Sequence, residues 1–466
     1  MTFRSMTITA LSCFLATSAF ARSGEPAGGT AVVKNRLAGQ RAGDRLLFAE
    51  DAQRKSVSES VLAMSLRRHG ARRSALRASF VKAHNDGYTH ALEQGAIRNQ
   101  ASSGRCWIFA TLNVLEQDVK LRTGKPVKLS RAYIDAKNLQ ATAYEMVESG
   151  ADVAGLHSVA DNDIGEGGYF GWATQIVDKF GVVPEHVMRD FSDNKASAVA
   201  IKMLQTRVVQ AQDALRNTDL DSPYAISIAS KAHSDIDTII ARSFTGKSAL
   251  PETFRVDGVT YSPKTYAEHL GTKSSQYITL RDRKALRIGW ANTGSGVHTY
   301  RAYNTGDVEI MKEAVRTAID QGKKVYVAVP VGAEGSPYMS DAEWYGTLPA
   351  AKGIMSIAAH DYDSLGMGHA VTDRAIVQRT GLNKANHAMT ITGYDLGKDG
   401  KVIKWKVENS WGDKAADRGI QHMYDDFFTS FVEDVGVPAS AVPKQMLKSM
   451  NASSRRNTEF AWELTK

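Results

Sequence analysis

The chain has 466 residues, 43% hydrophobic and 23% charged, with a formal net charge of +8 and two cysteines, Cys13 and Cys106. This balance excludes wholesale disorder, and the length suffices for a large core spread over two or three structural units. So few thiols exclude a disulfide-stapled scaffold and a cysteine-rich zinc site.

Residues 1–21 read as a removable secretion signal. Arg4 gives a modest positive start, residues 8–20 are mostly apolar, and Ala19-Phe20-Ala21 is a small-x-small cleavage site. The apolar stretch is too short to span a membrane, and no run of about 18 apolar residues follows. The expected address is therefore secreted, most simply periplasmic, without a transmembrane anchor. A lipoprotein reading through Cys13 is weaker, because Ala10 stands where Leu is usual. Loss of the leader would leave Cys106 as the single thiol, with no second cysteine to pair with in an oxidising compartment.

Residues 22–85 carry 13 Lys/Arg against 5 Asp/Glu, whereas residues 86–466 carry 44 against 45. The basicity therefore belongs to an N-terminal extension, residues 22–90. Such a segment is either an arm for an acidic partner or a solvated, partly helical extension, and the second is preferred. No nucleic-acid motif occurs in it, so nucleic acid is not an expected partner.

Residues 24–29 are Gly/Pro/Ala-rich. Ser56-Val57-Ser58-Glu59 is a capping-box pattern, and Val57, Val61 and Met64 follow at helical spacing, which predicts a helix over 56–68 ending near Gly70. Residues 100–106 form a loop that opens into a helix running to about Gln117. Gly165-Glu166-Gly167-Gly168 is a tight turn before a helix ending at Phe180-Gly181. Residues 190–245 read as helical, with Val199, Met203, Val208 and Ala211 as one apolar series and residues 226–240 as another. Residues 325–331 predict a buried strand. Residues 389–394 and 404–409 predict two more, joined by the turn Gly397-Lys398-Asp399-Gly400. The fold class is α+β, helical in front and β-rich behind.

Cys106 follows a Gly-containing turn and opens an apolar helix, where a thiolate would be stabilised. A lone cysteine is more often buried and inert. A nucleophile, however, needs a base, a group to orient that base, and oxyanion donors, and candidates for all of them can be named. His387 precedes an apolar strand, and Asn409 lies 22 residues later. Alternation puts Trp405, Val407, Asn409 and Trp411 on one face, so Asn409 can orient the imidazole while Trp411 shields the hydrogen bond. The side-chain amide of Gln100 can join the Cys106 N–H as an oxyanion donor.

These residues resemble papain-like cysteine peptidases, specifically the bleomycin hydrolase/aminopeptidase C branch. The signatures are Gln100-Ala101-Ser102-Ser103-Gly104-Arg105-Cys106-Trp107-Ile108-Phe109-Ala110, His387-Ala388-Met389 and Val407-Glu408-Asn409-Ser410-Trp411-Gly412. Similar stretches are Leu129-Ser130-Arg131-Ala132-Tyr133, residues 179–184 and Tyr277-Ile278-Thr279-Leu280. The resemblance implies a two-lobed fold: a helical lobe over 91–189, a β-barrel-like lobe over 321–445, and a C-terminal arm over 446–466. A helical insertion over 190–320 would account for the 281 residues between Cys106 and His387.

The resemblance also implies roles. Cys106 attacks a peptide carbonyl, His387 is base and then acid, Asn409 orients it, and Gln100 holds the oxyanion. Pairing with His387 would depress the thiol pKa. Gly167 and Gly168 would let an extended substrate approach. The carboxylate of the terminal residue, Lys466, would hold the substrate's free amino group, giving aminopeptidase action on short peptides. No cofactor is expected, and the branch implies a homo-oligomer, a hexamer. The secretion signal, the basic arm and the tail from Glu459 to Lys466 depart from that pattern. Two rivals follow from these departures: an endopeptidase or acyl-transferring relative without N-terminal gating, and a basic secreted binding protein using residues 22–85.

Weaker signals are Asp161-Asn162-Asp163 with Glu166, read as a polar turn in preference to a cation site. His360 and His369 lack metal-ligand spacing, and Asn451-Ala452-Ser453 is a formal glycosylation acceptor.

Overall fold

The computed structural model describes residues 56–149, 164–190, 195–216, 218–284, 286–293, 299–331, 353–366, 372–380 and 384–454. The leader with Cys13, the 24–29 stretch, Asp161 to Asp163, His369 and the tail with Lys466 lie outside the described residues. The chain divides into two units, residues 1–67 and 68–466. Of the first, residues 56–67 are described, and they belong to helix α1 (Ser56–Ala75). The helix does not stop near Gly70 as expected. An internal glycine costs only about 1 kcal/mol, and the Arg and Ala residues beyond it are good helix formers.

The second unit continues with α2 (Ala78–Ala83), β1 (His90–Ala91), α3 (Cys106–Thr123), α4 (Arg131–Glu148), α5 (Phe170–Phe180), α6 (Lys195–Leu215) and α7 (Pro223–Thr245). A hairpin, β2 (Phe254–Val256) and β3 (Val259–Tyr261), leads to α8 (Pro263–Leu270), β4 (Tyr277–Arg281), β5 (Gly289–Thr293), β6 (Tyr300–Asn304) and α9 (Val308–Asp320). Then come β7 (Val325–Val329), β8 (Ile354–Met355), α10 (Arg374–Thr380), β9 (His387–Leu396) and β10 (Val402–Glu408). The last elements are β11 (Ile420–Tyr424), α11 (Asp425–Phe431), β12 (Asp434–Pro438) and α12 (Lys444–Ser454).

Helix α3 runs past the expected Gln117 because its stop signal lies later. Lys120 and Arg122 occupy the last turn, and Gly124, at φ +70°, takes the left-handed cap with its N–H on Lys120 O. Helix α4 starts where the Ser130 hydroxyl accepts the Tyr133 N–H at 3.0 Å. Helix α6 is helical as expected, and Val208 and Ala211 of the expected series are buried, but the first half of the stripe is one residue out of phase. Ala200, Leu204, Val208, Ala211 and Leu215 are buried, whereas Val199 and Met203 are exposed. Small Ala200 and Ala211 let α7 pack closely, and α7 answers with Ala225, Ala232, Ile236 and Ile240.

Ten strands form one mixed sheet in the order β5-β6-β4-β12-β7-β9-β10-β11-β8, with β1 pairing β9. Residues 190–320 are therefore not wholly helical, as was expected of an insertion. The α6–α7 pair is, but β4, β5 and β6 belong to the main sheet. Their aromatic and β-branched residues, such as Tyr277, Ile278, Thr279, Tyr300 and Tyr303, suit a pleated surface. The strand pair β9–β10 is antiparallel, with Glu408 opposite Thr390. This register sets His387, at the start of β9, and Asn409, just past β10, at the same end of the sheet.

The apolar core has two parts. One joins α3 to α7 and includes Trp107, Leu112, Leu139, Ile176 and Ile236. The other joins the sheet to α9 and α11 and includes Met311, Val327, Ile391, Trp405 and Phe428. A polar pin crosses from one to the other. Buried Glu408 accepts from Lys324 Nζ at 2.9 Å and from Asn113 Nδ2 at 3.1 Å. Removing one member of a buried pair strands the other charge at a cost of about 3–5 kcal/mol. Urea denaturation of Lys324→Met should show a loss of that order, and Lys324→Met/Glu408→Leu should recover part of it. A loss below about 1 kcal/mol in Lys324→Met would show that the pin does not hold the two parts together.

Candidate active site

Cys106 is the first residue of α3, and the loop before it is held from several sides. The Gln100 N–H donates to Ser410 O at 2.8 Å, and the Ser410 hydroxyl donates to Gln100 Oε1 at 2.5 Å. Gln100 Nε2 donates to Ser103 O at 2.6 Å. A primary amide has two N–H groups, so one remains for an oxyanion. Ala101 adopts φ +53°, a left-handed conformation that a non-glycine residue holds only under surrounding constraint. Arg105 is fully buried, with Nη1 on Asp190 Oδ1 at 2.8 Å and Nε on Ser103 Oγ at 3.1 Å. Its neighbour Asp135 lies 3.9 Å from Nε, and burial pushes that carboxyl up to about 8 against the pull of Arg105.

His387 is buried at the head of β9, and its Nε2 lies 2.8 Å from Asn409 Oδ1. The Ser410 backbone N–H also donates to Oδ1, at 2.7 Å, which fixes which end of the Asn409 amide faces the ring. Nε2 must then carry the proton, leaving Nδ1 unprotonated in the neutral ring, as a base requires. Asn409 Nδ2 is buried without a partner among the described residues, a cost accepted in aiming Oδ1. The Trp411 ring lies over His387 with centroids 4.7 Å apart, in place to shield that hydrogen bond.

Cys106 stays partly exposed, yet the protein packed around its sulfur pushes the thiol up to about 11. The backbone N–H groups of Ala388, Trp107 and Cys106 act in the opposite sense, and Glu166 raises it further. The Ala388 contact sets the sulfur beside the residue that follows His387. Burial likewise pushes His387 down to about 4, against the Asn409 hydrogen bond. The expected depression of the thiol pKa is therefore opposed by burial, and the N–H groups need the partner's charge beside them to bring it about.

Of the two glycines, Gly168 packs on Trp107, where an added Cβ would come 2.5 Å from Cε2. Gly167 is exposed and would meet nothing within 4 Å, which leaves open space on its Cβ side. Glu166 anchors this turn: Oε2 accepts the Gly104 N–H at 2.6 Å and Oε1 accepts the Ser197 hydroxyl at 2.5 Å. Its carbonyl takes Trp107 Nε1 at 2.5 Å, and Trp107 stacks on Trp172. His360, one of the weaker signals, is buried with Nδ1 3.1 Å from Ser356 O.

Gln100, Cys106, His387, Asn409 and Trp411 thus come together. Lys466 lies outside the described residues. Ser410, Arg105 and Glu166 were not assigned these positioning roles from the sequence, although the first two sit inside the quoted signatures and the third in the glycine-rich turn.

A thiol at a helix N-terminus, an imidazole in the base tautomer and an amide that orients it define a papain-like cysteine peptidase. The chain belongs to the Peptidase C1-like family, whose profile matches residues 47–257 and 282–462. It is 25% identical over 420 residues to aminopeptidase W of Lactobacillus delbrueckii subsp. lactis, covering 83% of this chain and 91% of that protein. It is 24% identical to bleomycin hydrolase of Mus musculus, covering 80% and 87%. The crystal structure of PepW from Lactobacillus rhamnosis HN001 shares the fold, with a TM-score of 0.72, 22% identity and coverage of 89% and 95%.

The opposed effects on Cys106 give a test. In His387→Ala burial, the N–H groups and Glu166 act without a partner imidazole, so the thiol should ionise towards pH 11. In the wild type the two groups gain charge together, at lower pH. Iodoacetamide alkylation rates followed against pH should therefore rise at least two units later in His387→Ala. Superimposed profiles would show that the pair is not coupled.

Proposed function

We propose that this peptidase is an aminopeptidase acting on short peptides through an acyl-enzyme on Cys106. The observation that carries the chemistry is the 2.8 Å bond from His387 Nε2 to Asn409 Oδ1, which frees Nδ1 to take the thiol proton. The sulfur attacks the carbonyl carbon, and the carbonyl oxygen becomes an oxyanion that the second Gln100 N–H can meet. Collapse breaks the C–N bond, and protonated His387 gives its proton to the leaving amine. Water, deprotonated by His387, then cleaves the thioester and restores the thiol. The names of the relatives, aminopeptidase W among them, support cleavage from a free N-terminus. The resemblance would place the carboxylate of Lys466 on the substrate's amino group and assemble several copies, six by the branch pattern. Residues 1–21 would direct export to the periplasm.

Peptides with free and acetylated N-termini, assayed with the wild type, Cys106→Ser and a chain ending at Phe460, test this reading. Free peptides should be cleaved at least tenfold faster, with no cleavage by Cys106→Ser, and truncation should erase the preference. Equal cleavage of both peptide sets by the full chain would overturn aminopeptidase action. Periplasmic protein from the native host should begin at Arg22, and a cytoplasmic chain that still retains residues 1–21 would overturn export.

A further inference from the structure

A second site lies apart from the catalytic residues. The segment after α2 and strands β10 and β11 enclose a pocket of about 260 Å³ lined by Asp86, Tyr88, Lys406, Asp417, Arg418 and His422. That volume falls below the ~300–1,000 Å³ of pockets for drug-sized ligands and suits a molecule of amino-acid size.

One side of the pocket is pre-organised. Tyr88 Oη lies 2.5 Å from His422 Nδ1, and His422 Nε2 lies 3.3 Å from Asp417 Oδ2. This relay fixes the imidazole at both nitrogens and holds one carboxylate oxygen in place. The Arg418 guanidinium reaches Asp417 at 3.3 Å and Asp86 at 4.0 Å. Arg418 does so from φ +51°, and Ala416 in the same loop sits at φ +49°. Non-glycine residues keep this conformation only where the surroundings impose it, and such positions cluster at functional sites.

Lys406 is the exception to this pairing. It is partly buried, and among the described residues its ammonium has no hydrogen-bond or ion-pair partner. Burial pushes it below the ordinary lysine value, helped by Lys324 and Arg418 and opposed by Glu408 and Asp417. A half-buried cation of this kind is stabilised by an incoming carboxylate. The carboxylates of Asp86 and Asp417 on the same wall would repel a simple anion but would accept an ammonium. The pocket thus offers cations for a carboxylate and carboxylates for an ammonium within one small volume.

We propose that this pocket binds a free α-amino acid, its carboxylate on Lys406 and Arg418 and its ammonium on Asp86 and Asp417. That such a molecule is the product of this enzyme rests on the aminopeptidase reading, whereas the binding itself does not. The site also adjoins the catalytic end of the sheet. Lys406 pairs with His422 in the strand register, and the loop bearing Arg418 returns its Gly419 carbonyl to the Asn409 N–H at 2.9 Å.

The test uses the full chain with Cys106 blocked by iodoacetamide, so that a failed peptidase reading would leave the binding measurement intact. Calorimetric titration with L-alanine should give saturable binding, with acetate and ethylamine each at least tenfold weaker. Lys406→Met should weaken alanine at least tenfold. Arg418→Gly, whose backbone suits the positive φ, should weaken it in the same sense if Lys406→Met fails to fold. Absence of saturable alanine binding, acetate binding as tight as alanine, or unchanged affinity in the folded Lys406 or Arg418 variant would each overturn the proposal.

Discussion

Everything at the site depends on how helix α3 lies against strand β9. Cys106 and His387 are 281 residues apart in the chain, and only this packing brings the sulfur to the Ala388 N–H. Apolar contact alone would tolerate a slide of the helix along the sheet. The polar pin resists one: Asn113, about two turns into the helix, meets Glu408, which meets Lys324 at the base of β7. A buried ion pair of this kind is weak evidence of net stability, but it penalises any register in which one partner is left alone. Because Glu408 precedes Asn409, the same residue that seats the helix also sets the imidazole's partner.

The chemistry is then a matter of opposing electrostatic effects. Burial favours an uncharged thiol and an uncharged imidazole, whereas the helix N-terminus, the Ala388 N–H and the orienting amide favour charge. The protein gives up some stability to keep this balance. Asn409 Nδ2 is left unpaired, and Ala101 is held in a left-handed conformation. Both departures from local preference occur within reach of Cys106 or His387, as expected where a fold serves a reaction.

The catalytic set was legible because each member sits in a short motif whose local structure is decided by its neighbours. A turn feeds a helix at Cys106, an apolar strand starts at His387, and another ends before Asn409. Long-range choices were less legible. Strands β4, β5 and β6 join the sheet through partners far away in sequence, so no window of the chain reveals it. The first half of the α6 stripe was mis-phased because Val199 is bulkier than Ala200, yet close helix packing selects the small residue for the interior, and Leu204 follows it there in place of Met203. Gly168 was read as a substrate contact, and its missing Cβ also makes room for Trp107, a constraint that only the position of that indole could show. The part played by Ser410 was hidden for the same reason: its hydroxyl and its N–H act on two residues, Gln100 and Asn409, and one of them lies 310 positions away.

The central claim is that Cys106 carries the acyl group. Acid quench within milliseconds of mixing the enzyme with an alanine ester, followed by intact-mass and peptide mapping, measures it directly. The account predicts an added alanyl mass on the peptide containing Cys106 in the wild type and none in Cys106→Ser, together with loss of turnover. Continued turnover by Cys106→Ser, or an adduct mapped to any other residue, would contradict it.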